Sequence, residues 1–120
     1  MDYPSSVFSM VGPSKRGIGR RFVGRDGRSM LSIYSLRNSA DDTPRSFVQK
    51  NLRSDLRRIE YERVTQTFLA LSTASGGRIF YTRCNFRTRT INCFELAYPA
   101  AEKRAWDSVV TRMSHSLGSR

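Results

Sequence analysis

The chain has little of what catalytic and metal sites are usually built from: one histidine (His115), two cysteines (Cys84 and Cys93) and 10 acidic residues among 120. Structural zinc requires four closely spaced nitrogen or sulfur ligands, which two cysteines nine positions apart and one distant histidine do not supply. Nucleophilic hydrolysis requires Ser or Cys together with a base and an orienting acid. Here the only histidine falls near the C-terminus, in the expected last turn of a helix, and no Gly-x-Ser-x-Gly elbow accompanies it. Helix-terminus electrostatics account for His115, and helix capping for Asp41-Asp42. The expectation is a protein that is not an enzyme, with no metal and no cofactor. Long apolar runs are also missing: nowhere do 18 apolar residues follow one another, so no transmembrane helix is expected. Met1 to Val11 is interrupted by polar residues and shows no secretory leader. The one phosphate-like pattern, Gly17-Ile-Gly19, has Phe22 at the third glycine position and a hairpin after it, which excludes a phosphate site at a helix N-terminus.

What is abundant is positive charge, 21 Lys and Arg against 10 Asp and Glu, for a formal net charge of +11. Only Lys15, Lys50 and Lys103 are lysines; the other 18 cations are arginine. Arginine bias suits bidentate recognition of phosphate or carboxylate, and codon usage in a GC-rich genome produces the same bias. The cations are dispersed. Their closest groups are Lys15-Arg16 with Arg20-Arg21, Arg57-Arg58, and Arg83, Arg87 and Arg89, and none is the block of like charge that marks a disordered nucleic-acid-binding arm. With 38% hydrophobic residues and 13 aromatics, the chain has the makings of one folded basic domain, able to bury roughly two-thirds of its unfolded surface.

Two strands are predicted over 18–24 and 29–36, joined at Asp26-Gly27, because glycine accepts the positive φ that tight hairpin turns need. Thr43-Pro44 then supplies a cap and a first-turn proline. Val48, Leu52, Leu56 and Ile59 follow at helical spacing, which predicts about four turns with Arg45, Lys50, Arg53, Arg57 and Arg58 on the outer faces. From Val64 the period becomes two, predicting strands through Ser72, from Arg78 to Asn85 and from Thr90 to Tyr98, an antiparallel meander. Trp106, Val109, Val110, Met113 and Leu117 form the apolar stripe of a closing helix, stopped at Gly118. The fold class expected is α+β: an antiparallel sheet of about five to six strands, in the chain order β-β-β-α-β-β-β-α with an irregular or strand-like start, flanked by helices on both faces.

Cys84 and Cys93 are the most informative pair. A two-residue turn at Thr88-Arg89 pairs residues whose numbers sum to 177, which sets the two cysteines opposite each other. Alternation makes theirs a non-hydrogen-bonded pair, with Cα atoms about 4.5 Å apart, close enough for a disulfide. A four-residue loop keeps them opposite but reverses the parity, and two reduced cysteines in a cytosolic sheet remain the other reading. An oxidised pair implies an oxidising compartment. Around the same hairpin, Phe80, Tyr81, Phe86 and Phe94 interleave with arginines, a pattern that suits base stacking in a positive field, although the RNA-recognition consensus is absent. Arg78, Arg83, Arg87 and Arg89, with Arg25 and Arg28, are the candidate anion- or partner-binding residues.

Asp2-Tyr3-Pro4, Arg25-Asp26-Gly27, Gly77-Arg-Ile-Phe-Tyr81, Phe94-Glu-Leu-Ala-Tyr-Pro99 and Trp106-Asp-Ser-Val-Val-Thr-Arg-Met113 together resemble a group of uncharacterised exported proteins of alphaproteobacteria. Those in turn resemble the PsbP-like and Mog-like α/β/α sandwich. The resemblance implies a single domain over 1–120 that serves as a periplasmic or secreted binding or assembly scaffold; without a visible leader, a mature or excised domain is expected. It contributes no catalytic residues. The expected partner is a protein or an anionic envelope component, with a cytosolic nucleic-acid-binding module as the alternative.

Overall fold

The structure, a computed structural model, describes residues 8–52 and 57–117. β1 (Phe8–Pro13), β2 (Ile18–Gly24) and β3 (Met30–Arg37) form a first antiparallel meander. A short helix α1 (Pro44–Phe47) runs into a π-helical turn (Val48–Leu52). β4 (Arg58–Val64), β5 (Phe68–Ser75), β6 (Arg78–Phe86) and β7 (Thr90–Pro99) form a second meander, and a 3-10 turn (Ala100–Glu102) leads into α2 (Lys103–Ser116). The strands make one sheet in the order β1-β2-β3-β7-β6-β5-β4, so the last strand fills the centre and joins the two meanders through β3, from Met30↔Ala97 to Arg37↔Thr90.

This corrects the expected fold class. Strands take 52% of the described residues and helices 25%, so the molecule is a seven-stranded, mostly-sheet protein rather than a five- to six-stranded sheet sandwiched between helices. Of the apolar stripe read as a four-turn helix, Val48 and Leu52 lie in the π-helical turn. Leu56 and Arg53 lie outside the described residues, as do Asp2-Tyr3-Pro4 and Gly118, and Ile59 belongs to β4. A bulge between Ile59 and Tyr61 breaks the period of two in β4, so Ile59 and Tyr61 face opposite sides of the sheet and the strand is hard to tell from the end of a helical stripe.

The local chemistry explains the elements that were anticipated. Thr43 Oγ1 accepts from the Ser46 amide while the Ser46 hydroxyl accepts from the Thr43 amide, a reciprocal cap with Pro44 at the first helical position. At the β2–β3 turn Gly27 has φ +70°, and Asp26 Oδ1 accepts from the Arg28 amide at 2.9 Å.

The core lies in two parts on opposite faces of the sheet. α2 packs Trp106, Met113 and Leu117 against Phe22, Leu31, Phe94 and Leu96. On the other face Phe47 and Val48 cover Tyr34, Leu69, Ile91 and both cysteines. Seven strands at their usual spacing span about 29 Å, and a helix with side chains is only about 10 Å across. Each face therefore keeps a portion that no helix among the described residues covers, and those portions hold the two grooves discussed below. No helix among the described residues is long and apolar enough to cross a membrane.

Candidate anion-binding groove

Cys84 and Cys93 stand opposite each other on β6 and β7 and form a disulfide, with Cα atoms 4.1 Å apart. The Arg87 amide donates to the Thr90 carbonyl at 2.8 Å, closing the turn that sets this register. Both cysteines are fully buried beneath α1 and its π turn. A disulfide of this kind forms in oxidising compartments.

The six candidate binding arginines are not gathered into one site. Arg78 begins β6, whereas Arg87 and Arg89 lie beyond its far end, about 30 Å away for a nine-residue strand. Arg83 stacks on the Phe68 ring at 4.1 Å, and its Nε donates to Asn85 Oδ1 at 3.1 Å. Arg28 is tied to Glu102 at 2.8 Å, which fastens the β2–β3 turn to the segment before α2, and Arg25 is exposed on that turn. The interleaved aromatics are mostly engaged as well. Phe94 is fully buried, Phe86 packs edge-on to Phe47, Tyr81 stacks on Phe94, and Arg57 covers Phe80.

The structure instead gathers a different basic set. Arg21, Ser32, Glu95 and Thr82 are register partners in succession, Arg21↔Ser32↔Glu95↔Thr82, and so form a polar row across β2, β3, β7 and β6. They lie on the face that carries α1, beyond the area that α1 covers. Side chains here would ordinarily be apolar, because the central strands of a wide sheet are buried on both faces. The row floors a groove of about 390 Å³, whose rim carries Lys15 and Arg16 on one side and Arg57 on the other. Four cations thus face one carboxylate.

That carboxylate is already occupied. Tyr34 Oη donates to Glu95 Oε2 at 2.6 Å, and Arg16 Nε lies 3.8 Å from the same oxygen. Burial, reinforced by the neighbouring Glu95, holds the Tyr34 phenol far above its usual value, so it remains a donor. Arg21, by contrast, has a buried Nε–H with no hydrogen-bond partner. A guanidinium offers a planar fork of donors that matches carboxylate and phosphate, and an unpaired buried donor is costly unless a ligand takes it up. Across the groove, the Arg57 guanidinium is held 3.9 Å over the Phe80 ring. That stacking fixes a second cation without consuming all of its donors.

In sequence, Lys15, Arg16 and Arg21 stand out only as a short basic cluster and Arg57 as half of a pair. Nothing in their spacing joins them, because the groove depends on cross-strand register between segments up to 74 residues apart. The available signal was the row itself: Ser32, Thr82 and Glu95 are polar at positions whose neighbours two residues away are apolar, Met30 and Tyr34, Phe80 and Cys84, and Cys93 and Ala97. Among the described residues no three His, Cys, Asp or Glu side chains come together as a metal site. Compared with known proteins, the chain matches no protein-family model and no curated sequence.

Proposed function

We propose that the chain is a non-enzymatic exported binding domain, periplasmic in setting, that holds an anionic, phosphate- or carboxylate-bearing component of the envelope in the groove between Arg21 and Arg57. The unpaired, buried Nε–H of Arg21 carries the reading, since it is a donor already stripped of water on the floor of a cationic groove. Glu95 does not quench the site because Tyr34 and Arg16 engage it. The buried disulfide and the likeness to exported alphaproteobacterial proteins both support the setting.

The test is an NMR-monitored titration with inorganic pyrophosphate and with citrate. Arg21→Gln combined with Arg57→Gln is compared with a charge-matched control, Arg25→Gln combined with Arg87→Gln. Loss of affinity by about tenfold or more in the groove variant, against a small change in the control, is the expected result. Equal losses mean that binding follows net charge alone and remove the groove from consideration. Two free thiols in protein prepared without reductant would overturn the exported setting, and salt-sensitive oligonucleotide binding lost in the same groove variant would install the nucleic-acid module in its place.

A further inference from the structure

A second groove, of about 530 Å³, lies on the opposite face, where α2 leaves β4, β5 and β6 uncovered. Tyr61, Tyr81 and Tyr98 line it, with Glu60, Lys103 and Asp107 at its edges. Two of the rings are held by other rings behind them. Tyr98 stacks on Trp106 with centroids 5.6 Å apart and planes 21° apart, and Tyr81 stacks on Phe94 at 5.7 Å and 29°. Tyr61, 48% exposed, stands on the outermost strand.

The three phenol hydroxyls are unspent: none is hydrogen-bonded among the described residues. For Tyr61 at the surface, water suffices. Tyr98 is only 2% exposed, yet its hydroxyl is not enclosed, so the little surface it keeps opens to the groove and leaves that hydroxyl available to a ligand. The charge of the groove points the same way. Glu60 is paired with Arg58 at 2.6 Å and Asp107 with Lys103 at 3.4 Å, so the rim is nearly neutral on a molecule whose net charge is +11. An anion gains little here, and a cation finds both carboxylates already paired. A neutral ligand fits if it offers polarised C–H groups to aromatic faces, whose quadrupole is negative, and several hydroxyls to the phenols and carboxylates. These are the properties of a sugar ring.

We propose that this groove binds a neutral saccharide, seated against Tyr61 and Tyr81 and hydrogen-bonded to the Tyr98 hydroxyl and the Asp107 carboxylate. It is a different site from the cationic groove, on the other side of the sheet. The test is a 15N-edited NMR titration with maltotriose, cellotriose and chitotriose. At least one is expected to shift amides around Tyr61, Ser72 and Tyr98. Tyr98→Phe, which keeps the ring, and Tyr61→Ala, at an exposed position, are each expected to weaken binding about fivefold or more. Arg21→Gln with Arg57→Gln is expected to leave it unchanged, which separates this site from the anion groove. No shifts with any of the three sugars at about 20 mM, near the weak end of specific recognition, overturn the proposal. So does affinity that survives both tyrosine substitutions, or occupation of the same groove by a proline-rich peptide and by none of the sugars.

Discussion

Tyr34 shows how much a single side chain can couple here. It lies under α1 next to the disulfide, 3% exposed, and its hydroxyl reaches along the sheet to Glu95 in the cationic groove. The folded protein therefore keeps the phenolic proton at a pH where the unfolded chain, with an ordinary value of about 10, gives it up. Stability from this group is fully present below about pH 10 and is lost as the pH rises above it, at up to about 1.4 kcal/mol per pH unit. Tyr34→Phe is expected to cost about 1–2 kcal/mol at neutral pH and to flatten the alkaline decline, as read from urea unfolding at about pH 8 and about pH 11. An unchanged decline in the variant would show that other groups set the alkaline limit. Burial also raises Tyr98, so part of the slope is expected to persist. At this scale the sequence was legible where a turn fixes register. Once Thr88-Arg89 is read as a two-residue turn, opposition of Cys84 and Cys93 follows from the period of a strand alone. The unpaired Nε of Arg21 was not legible, because it depends on what three other strands place beside it.

Turns decide which elements form, and not all of them are written in glycine and proline. Gly27 has φ +70° with open space where a Cβ would project, so Gly27→Ala meets no clash and carries only the backbone cost of the left-handed region. That cost is about 1 kcal/mol, and Gly27→Asn is expected to recover most of it because asparagine tolerates this conformation. Urea unfolding with an unchanged m-value checks both; equal losses in Ala and Asn would mean that the turn geometry resists any side chain. The hairpin at 18–37 was legible for this reason, as was the meander from Arg78 to Tyr98 with its Gly76-Gly77 turn. The β4–β5 turn was not. It is built from Thr65-Gln66-Thr67, where Thr65 Oγ1 accepts from the amides of Thr67 at 3.2 Å and Phe68 at 3.0 Å. A threonine doing the work of a turn residue, between two runs of strand character, reads as one continuous strand. Without that turn, Ile59 falls at helical spacing after Leu52 and Leu56 in sequence and reads as the end of a helix, although it belongs to β4.

Across the whole molecule, the sheet is wider than its helices can cover, and this one mismatch places both grooves. It also sets which parts of the molecule open first. β3, β7 and β6 are paired on both sides and lie under or beside both halves of the core, and the disulfide locks β6 to β7. β1 and β4 are edges, each interrupted by a bulge, between Met10 and Gly12 and between Ile59 and Tyr61. Bulges and the charges of Arg58, Glu60, Glu62 and Arg63 discourage other chains from pairing with β4, whereas β1 has no charged residue and exposes Met10 and Val11. Edge amides with one ladder partner and few buried neighbours open locally, at a fraction of the global free energy. Native-state hydrogen exchange is therefore expected to rank β3, β6 and β7 slowest, with β1 and β4 faster by at least about a hundredfold, or about 2.7 kcal/mol. Filling either groove stabilises the state in which its walls are closed, so a ligand of the cationic groove should slow exchange in β2, β3 and β7, and one of the tyrosine groove should slow β4 and β5. Uniform protection across all seven strands would instead make the sheet one cooperative unit whose edges are no weaker than its centre, and would leave both grooves on a frame too rigid to report occupancy through exchange.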